Sequence, residues 1–269
     1  MTDTTDKTDL SKAARAAEPA AYAAGTHLQA SRSRLSETLI TRQAPGEVVG
    51  AIEAETRALI REVVHKHFPD HHFVGADDGA YPPDDARPRW VVHPIDGSAN
   101  YLRGYPQYAV AIALVEAGEP QLGVVYDPCR NEFFGAIRGR GAVLNGEPMQ
   151  CERKRHSAGE SLAATVFPKP SSPRMPVYMA ELGRVLRAFS GVRRSGSMAL
   201  ELAYLAAGRI DAFWEHDMGA WDAAAGSVLL RESGALISAR DGLPLLRSDS
   251  LLACTPQLYE PFLSLLAEP

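Results

Sequence analysis

Cysteine is scarce in this chain. Three residues among 269, Cys129, Cys151 and Cys254, lie far apart, and none stands in a Cys-x-x-Cys pair. That spacing argues against a zinc site built on thiolates and points to reduced thiols in a cytosolic protein. No apolar run reaches the length of a bilayer span, and the polar opening Met1 to Lys7 is not followed by a leader-type apolar segment. Neither a membrane span nor a secretory address is therefore expected, and the first residues read as a frayed tail. Basic charge is also in short supply. A formal net charge of -5 provides no broad cationic footprint and argues against a nucleic-acid partner. No repeat of fixed period is present, which speaks against solenoid and propeller architectures.

What is present is the composition of an ordinary globular protein, 45% hydrophobic and 23% charged, in a chain long enough to bury a sizeable core. It reads as one unit over 1–269, with approximate halves at 10–152 and 153–269. The Ala-rich stretch Leu10 to Ala30 predicts a helix suited to close packing, although Pro19 and Gly25 interrupt it. Arg32 to Gln43 reads as a polar loop, and Glu53 to His67 as a second, amphipathic helix. His65, His67, His71 and His72 follow, but their spacing and the Phe68-Pro69 break favour a solvated helix end over a metal site.

Beyond an Asp- and Pro-rich loop to Arg89, closely spaced apolar segments predict strands at Tyr108 to Glu116, Gln121 to Tyr126, Glu132 to Arg138 and Ala142 to Leu144. Short turn-linked strands of this kind predict a predominantly antiparallel sheet and not a doubly wound one. After a charged crossing at Glu152 to His156, strands are expected at Leu162 to Phe167, Ile210 to Trp214, Ala235 to Ser238 and Leu251 to Ala253. Helices are expected at Met179 to Phe189, Ser195 to Gly208 and Asp222 to Gly234.

The chain is organised around Trp90-Val91-Val92-His93-Pro94-Ile95-Asp96-Gly97-Ser98-Ala99-Asn100. Pro94 and Gly97 are expected to end a strand there and to leave Asp96 and Ser98 on an exposed bend beside free backbone N–H groups. Such a bend suits a metal or a phosphate; the plain alternative is a surface turn in which Asp96 bonds its own backbone. The second landmark is Trp221-Asp222-Ala223-Ala224-Ala225-Gly226. Taken alone, Asp222 reads as the N-cap of an Ala-rich helix.

As a pair, the two landmarks resemble the signatures of the inositol monophosphatase family, Asp-Pro-Ile-Asp-Gly-Thr and Trp-Asp-x-Ala-Ala-Gly. Further segments follow the family pattern in order, among them Gly104-Tyr105-Pro106, Val125-Tyr126-Asp127-Pro128, Leu144-Asn145-Gly146, Gly196-Ser197-x-Ala199-Leu200 and Arg231-Glu232-Ser233-Gly234. The resemblance runs from about Ala20 to the C-terminus. It implies an α/β (α+β) fold of layers α-β-α-β-α, with a mostly antiparallel sheet in the N-terminal half, a second sheet in the C-terminal half and a metal centre between them. It also implies hydrolysis of a small phosphate monoester, an inositol or sugar phosphate, with Mg²⁺ held by oxygen ligands. Family members are often homodimers.

Carried over residue by residue, the resemblance makes Asp96 and Asp222 metal carboxylates and adds the backbone carbonyl of Ile95. It aims the N–H groups of Gly97 and Ser98 at the phosphate. Ser98 and Glu53 match the pair that positions the attacking water, which makes them the catalytic candidates. Arg42 lies where the family often carries a lysine near the metals. Gly196, Ser197 and Glu215 match the substrate side; a helix cap and a strand-end surface carboxylate are the plain alternatives for Ser197 and Glu215.

Two departures stand out. The family's Gly-Glu-Glu reads Gly75-Ala76-Asp77, so a metal glutamate falls on Ala76, and Asp77 or Asp78 takes its place only if the loop shifts. The first aspartate of the other signature is His93, whose imidazole lends one nitrogen, bridges two ions poorly and brings no negative charge. Weakened Mg²⁺ binding follows. His93 can favour Mn²⁺ or Zn²⁺ as a ligand, or stand protonated in place of a cation. The chemistry that remains is compatible with a phosphatase having an altered metal centre. It is also compatible with a catalytically impaired relative that binds or regulates a partner.

Overall fold

In the computed structural model, residues 8–35, 45–75, 87–152, 154–155 and 157–267 are described. Helix α1 (Leu10–Ala30) starts at Asp9, whose side chain accepts the N–H groups of Ser11 and Lys12 at 2.9 and 3.1 Å. It runs through both Pro19 and Gly25, because a buried face of Ala13, Ala16, Ala17, Ala20, Ala21, Ala24 and Leu28 anchors the whole length. Helix α2 (Pro45–His65) begins earlier than the apolar periodicity suggests. Of the histidines beyond it, His71 is not merely solvated: its Nδ1 accepts the Trp90 indole N–H at 3.1 Å.

Both helices cover one face of a seven-stranded sheet with strands in chain order: β1 (His72–Val74), β2 (Arg89–Asp96), β3 (Ala109–Glu116), β4 (Glu119–Asp127), β5 (Glu132–Ile137), β6 (Ala142–Leu144) and β7 (Glu147–Met149). Only β1 and β2 pair in parallel; the rest is an antiparallel meander. Strand alternation in β3 separates two kinds of side chain. Val110, Ile112 and Leu114 join the core beneath α1 and α2, whereas Ala109, Ala111 and Ala113 line the opposite face.

That small-residue face receives helices α5 (Met198–Ala206) and α6 (Ala220–Ser233). The approach of α6 is so close that a Cβ on Gly123 of β4 would lie 2.3 Å from the carbonyl oxygen of Ala225. Beyond these helices lies a second sheet of β8 (Leu162–Thr165), β9 (Gly191–Arg193), β10 (Ala212–His216), β11 (Leu236–Ala239) and β12 (Ser250–Cys254), ordered β11-β12-β10-β8-β9. Here β8 is parallel to both neighbours while β12 is antiparallel to β10 and β11, so this second sheet is mixed. Helices α4 (Met175–Ala188) and α7 (Tyr259–Ala267) pack on its outer face. One core surrounds α5 and α6 between the two sheets and two more lie under the outer helices, so the layers follow in the order α-β-α-β-α. Among the described residues no helix is long and apolar enough to cross a membrane.

Candidate metal centre

Strand β2 does not stop at Pro94. Its partners on β3 are Ala111 for His93 and Ala109 for Asp96, so Pro94 and Ile95 together stand opposite Val110. This β-bulge accommodates the proline, which has no N–H to give the ladder, and re-aims the strand end. Asp96 is consequently buried, 4% exposed, and not on an exposed bend. Gly97 follows with φ 86°, and a Cβ there would sit 2.8 Å from the carbonyl of Gln107, so both conformation and space require glycine. Ser98 is exposed and opens the short helix α3 (Ser98–Arg103). Asn100 ties this turn to the loop before α5 by donating to the carbonyls of Gln107 and Ser195 at 2.7 and 2.8 Å.

The two aspartates are held in the same manner. Oδ2 of Asp96 accepts the Ser197 hydroxyl and, at 2.9 Å, the N–H of Ala199. Ser197 Oγ also accepts the N–H of Leu200 at 3.4 Å, so this residue caps α5 and holds Asp96 at once. Asp222 is not the N-cap of α6; Gly219 is, and Oδ2 of Asp222 accepts its N–H at 2.7 Å from the first helical turn. Each aspartate therefore keeps Oδ1 for His93, whose Nδ1 lies 3.1 Å from Asp222 and 3.7 Å from Asp96.

His93 Nδ1 is a buried atom without a partner of hydrogen-bond geometry. Burial alone would depress its imidazole, but Asp222, Asp96 and Glu53 outweigh burial and push it up to about 9. Burial likewise raises the Asp96 carboxyl, opposed by His93 and the Ser197 hydroxyl. Glu53, on α2, is thus close enough for its charge to reach His93. Glu215 is 7% exposed, no surface carboxylate; burial first, then Asp222, Asp96 and Asp217, push it well above the usual range.

His93, Asp96 and Asp222 present one donor atom each, all within 4.8 Å of one another. Donors sharing one ion at about 2.1 Å sit roughly 3.0–3.4 Å apart; the 3.1 Å from His93 to Asp222 falls in that range, and the 3.7 Å to Asp96 lies just beyond it. One imidazole nitrogen and two carboxylates suit a single borderline divalent ion, and the unpartnered Nδ1 is the atom such an ion would engage. Ile95 lies in the bulge, and Gly196 brings its carbonyl within 3.2 Å of a Cβ built on Gly97. The expected ligand Asp77 lies outside the described residues, as do Ala76, Asp78 and Arg42. Sequence reasoning missed the Asn100 tether, whose partners are fixed only by folding, and Asp217 beside Glu215.

The model of the inositol monophosphatase family matches residues 9–268. A Nus factor SuhB from Pasteurella multocida is 36% identical over 91% of this chain and 92% of its own length. An inositol-1-monophosphatase from Mesorhizobium japonicum is 37% identical over 83% and 84%. The solved inositol monophosphatase of Anabaena superposes with a TM-score of 0.81 at 32% identity, covering 96% of both chains.

Proposed function

The chain belongs to the inositol monophosphatase family, and from that premise we propose that it hydrolyses a small phosphate monoester, an inositol or sugar phosphate, with one divalent ion held by His93, Asp96 and Asp222. The convergence of these three donors carries the reading. An imidazole nitrogen has one lone pair and does not bridge, which supports a single ion over a bridged pair. Nitrogen ligation favours Mn²⁺ or Zn²⁺ over Mg²⁺. When bound, the ion would polarise the phosphoryl group and lower the pKa of a water.

The chain's own residues do the rest. The backbone N–H groups of Gly97 and Ser98 bind the phosphate, and Glu53 with the Ser98 hydroxyl orients the attacking water and takes its proton. Gly196 and Ser197 frame the substrate, and Glu215 receives its polar groups. The carbonyl of Ile95 and the carboxylate of Asp77 are further metal donors in this reading. A cytosolic homodimer belongs to the same reading, supported by the family pattern and, for the compartment, by three cysteines that form no disulfide.

A second reading, a binding or regulatory protein, is favoured by relatives that bear the name Nus factor. In it, the His93 imidazolium itself stands between the aspartates. Phosphate release from inositol and sugar phosphates with Mg²⁺, Mn²⁺ and Zn²⁺, beside Asp222→Asn, separates the two. Turnover lost in the variant supports the enzyme; no Asp222-dependent turnover with any of the three metals leaves the binding protein.

A further inference from the structure

Two adjacent residues of β10 have opposite surroundings. His216 lies with its Nε2 2.9 Å from both Glu181 Oε2 and Arg240 Nη1, and Arg240 also donates to Glu181 Oε1 at 2.6 Å. Glu215, on the other face by strand alternation, is directed to the site of Asp96 and Asp222, whose charges it feels. Its Oε2 is buried without a hydrogen-bond partner. Asp217, which turns the chain out of β10 in the left-handed region at φ 64°, adds a second buried oxygen without a partner, Oδ2. Its charge also reaches Glu215. Arg194 offsets these charges only in part. It is stacked on the Phe167 ring at 4.7 Å and makes no ion pair among the described residues.

Two buried carboxyl oxygens without donors, on residues two apart in the chain whose charges reach each other and, through Glu215, the candidate ion site, define what a ligand must bring. A hydroxyl supplies a donor but no charge. A primary ammonium supplies three donors and a compensating positive charge, and a buried carboxylate is stabilised most by a partner of this kind. We infer that Glu215 and Asp217 form a subsite for a primary ammonium group, so that the preferred phosphate monoester also carries an amine. The occupant rests on the phosphatase reading; the charge complementarity does not.

The test is calorimetric binding at neutral pH, in the presence of Mn²⁺, of ω-aminoalkyl phosphonates with two to four carbons against the ω-hydroxyalkyl phosphonates of equal length. Phosphonates are not hydrolysed, and the series spans the separation between the two groups. At least one amine should bind about tenfold more tightly than its hydroxyl counterpart. Asp217→Asn, which tolerates the left-handed backbone, and the isosteric Glu215→Gln should each bring that ratio towards one.

A ratio near one across the series, no binding of either compound, or a ratio unmoved by both substitutions overturns the inference. Phosphate release from the matching phosphates is measured in parallel. An amine preference without release overturns the phosphatase reading alone. Release without an amine preference overturns this inference alone.

Discussion

Nδ1 of His93 lies 3.1 Å from Oδ1 of Asp222, joining the end of β2 to the first turn of α6. His93, where a carboxylate is usual in the family signature, thus links its two halves. Because each aspartate has committed its other oxygen to a backbone or hydroxyl donor, the orientation of both carboxylates is set before any ion arrives. Such preorganisation keeps the cost of ordering the ligands low.

Asp222→Asn should weaken Mn²⁺ binding on the order of 100-fold, since a charged ligand becomes a neutral one. In the metal-free protein the same change removes the foremost group that raises His93. Its imidazole should then titrate below the present value of about 9, as followed by NMR. Unchanged calorimetric affinity for Mn²⁺ would remove Asp222 from the ligand set.

His93→Asp should reverse the metal preference. A third carboxylate adds charge and a bridging-capable ligand, so Mg²⁺ affinity should rise at least about tenfold while Zn²⁺ loses its nitrogen donor. Competition between the two ions in one titration reads the ratio directly, and a ratio that stays put contradicts the role given to the imidazole.

Gly123→Ala tests how α6 is positioned. The added methyl meets the carbonyl oxygen of Ala225 at 2.3 Å, a backbone atom that cannot swing aside. The helix must shift, at a cost of about 1–3 kcal/mol in chemical denaturation. Asp222 moves with it, so metal affinity should fall although no ligand has changed.

Stability below neutral pH should depend on Glu181. Burial would raise its carboxyl, but His216 and Arg240 together hold it below the usual range. Its unfolded value is about 4.3, so this stabilisation is complete above that pH and is lost as pH falls through the lower folded value. Glu181→Gln, which leaves Arg240 and His216 without their carboxylate, should cost about 3 kcal/mol at pH 7. In urea melts the gap from the native protein should narrow only below about pH 4.3. A gap independent of pH would contradict the ion-pair assignment.

Much of the fold is legible in the chain because it is encoded locally. The alanine face of α1, the β3-β4 hairpin and the close of α6 at Gly234 each follow from periodicity or a turn residue. Strands β1, β7 and β9 are three residues long and show no period at all; pairing alone makes them strands. Pro94 marks a stop in isolation, yet the ladder absorbs it as a bulge. For the same reason Asp96 turns inward, where a Pro-x-Asp-Gly sequence by itself suggests an exposed turn.

The sequence alone determined the residue types available to the site. It placed aspartates at 96 and 222, a histidine at 93 where a carboxylate is usual, and glycines at 97 and 196, where the backbone is left-handed. Only the tertiary structure decided which oxygen each aspartate would offer, that Ser197 would hold Asp96, and that Glu215 and Asp217 would keep oxygens buried without donors. Those relations join segments far apart in the chain. They are set by how closely α6 packs on the small side chains of β3 and on Gly123, a long-range fit that no local pattern encodes.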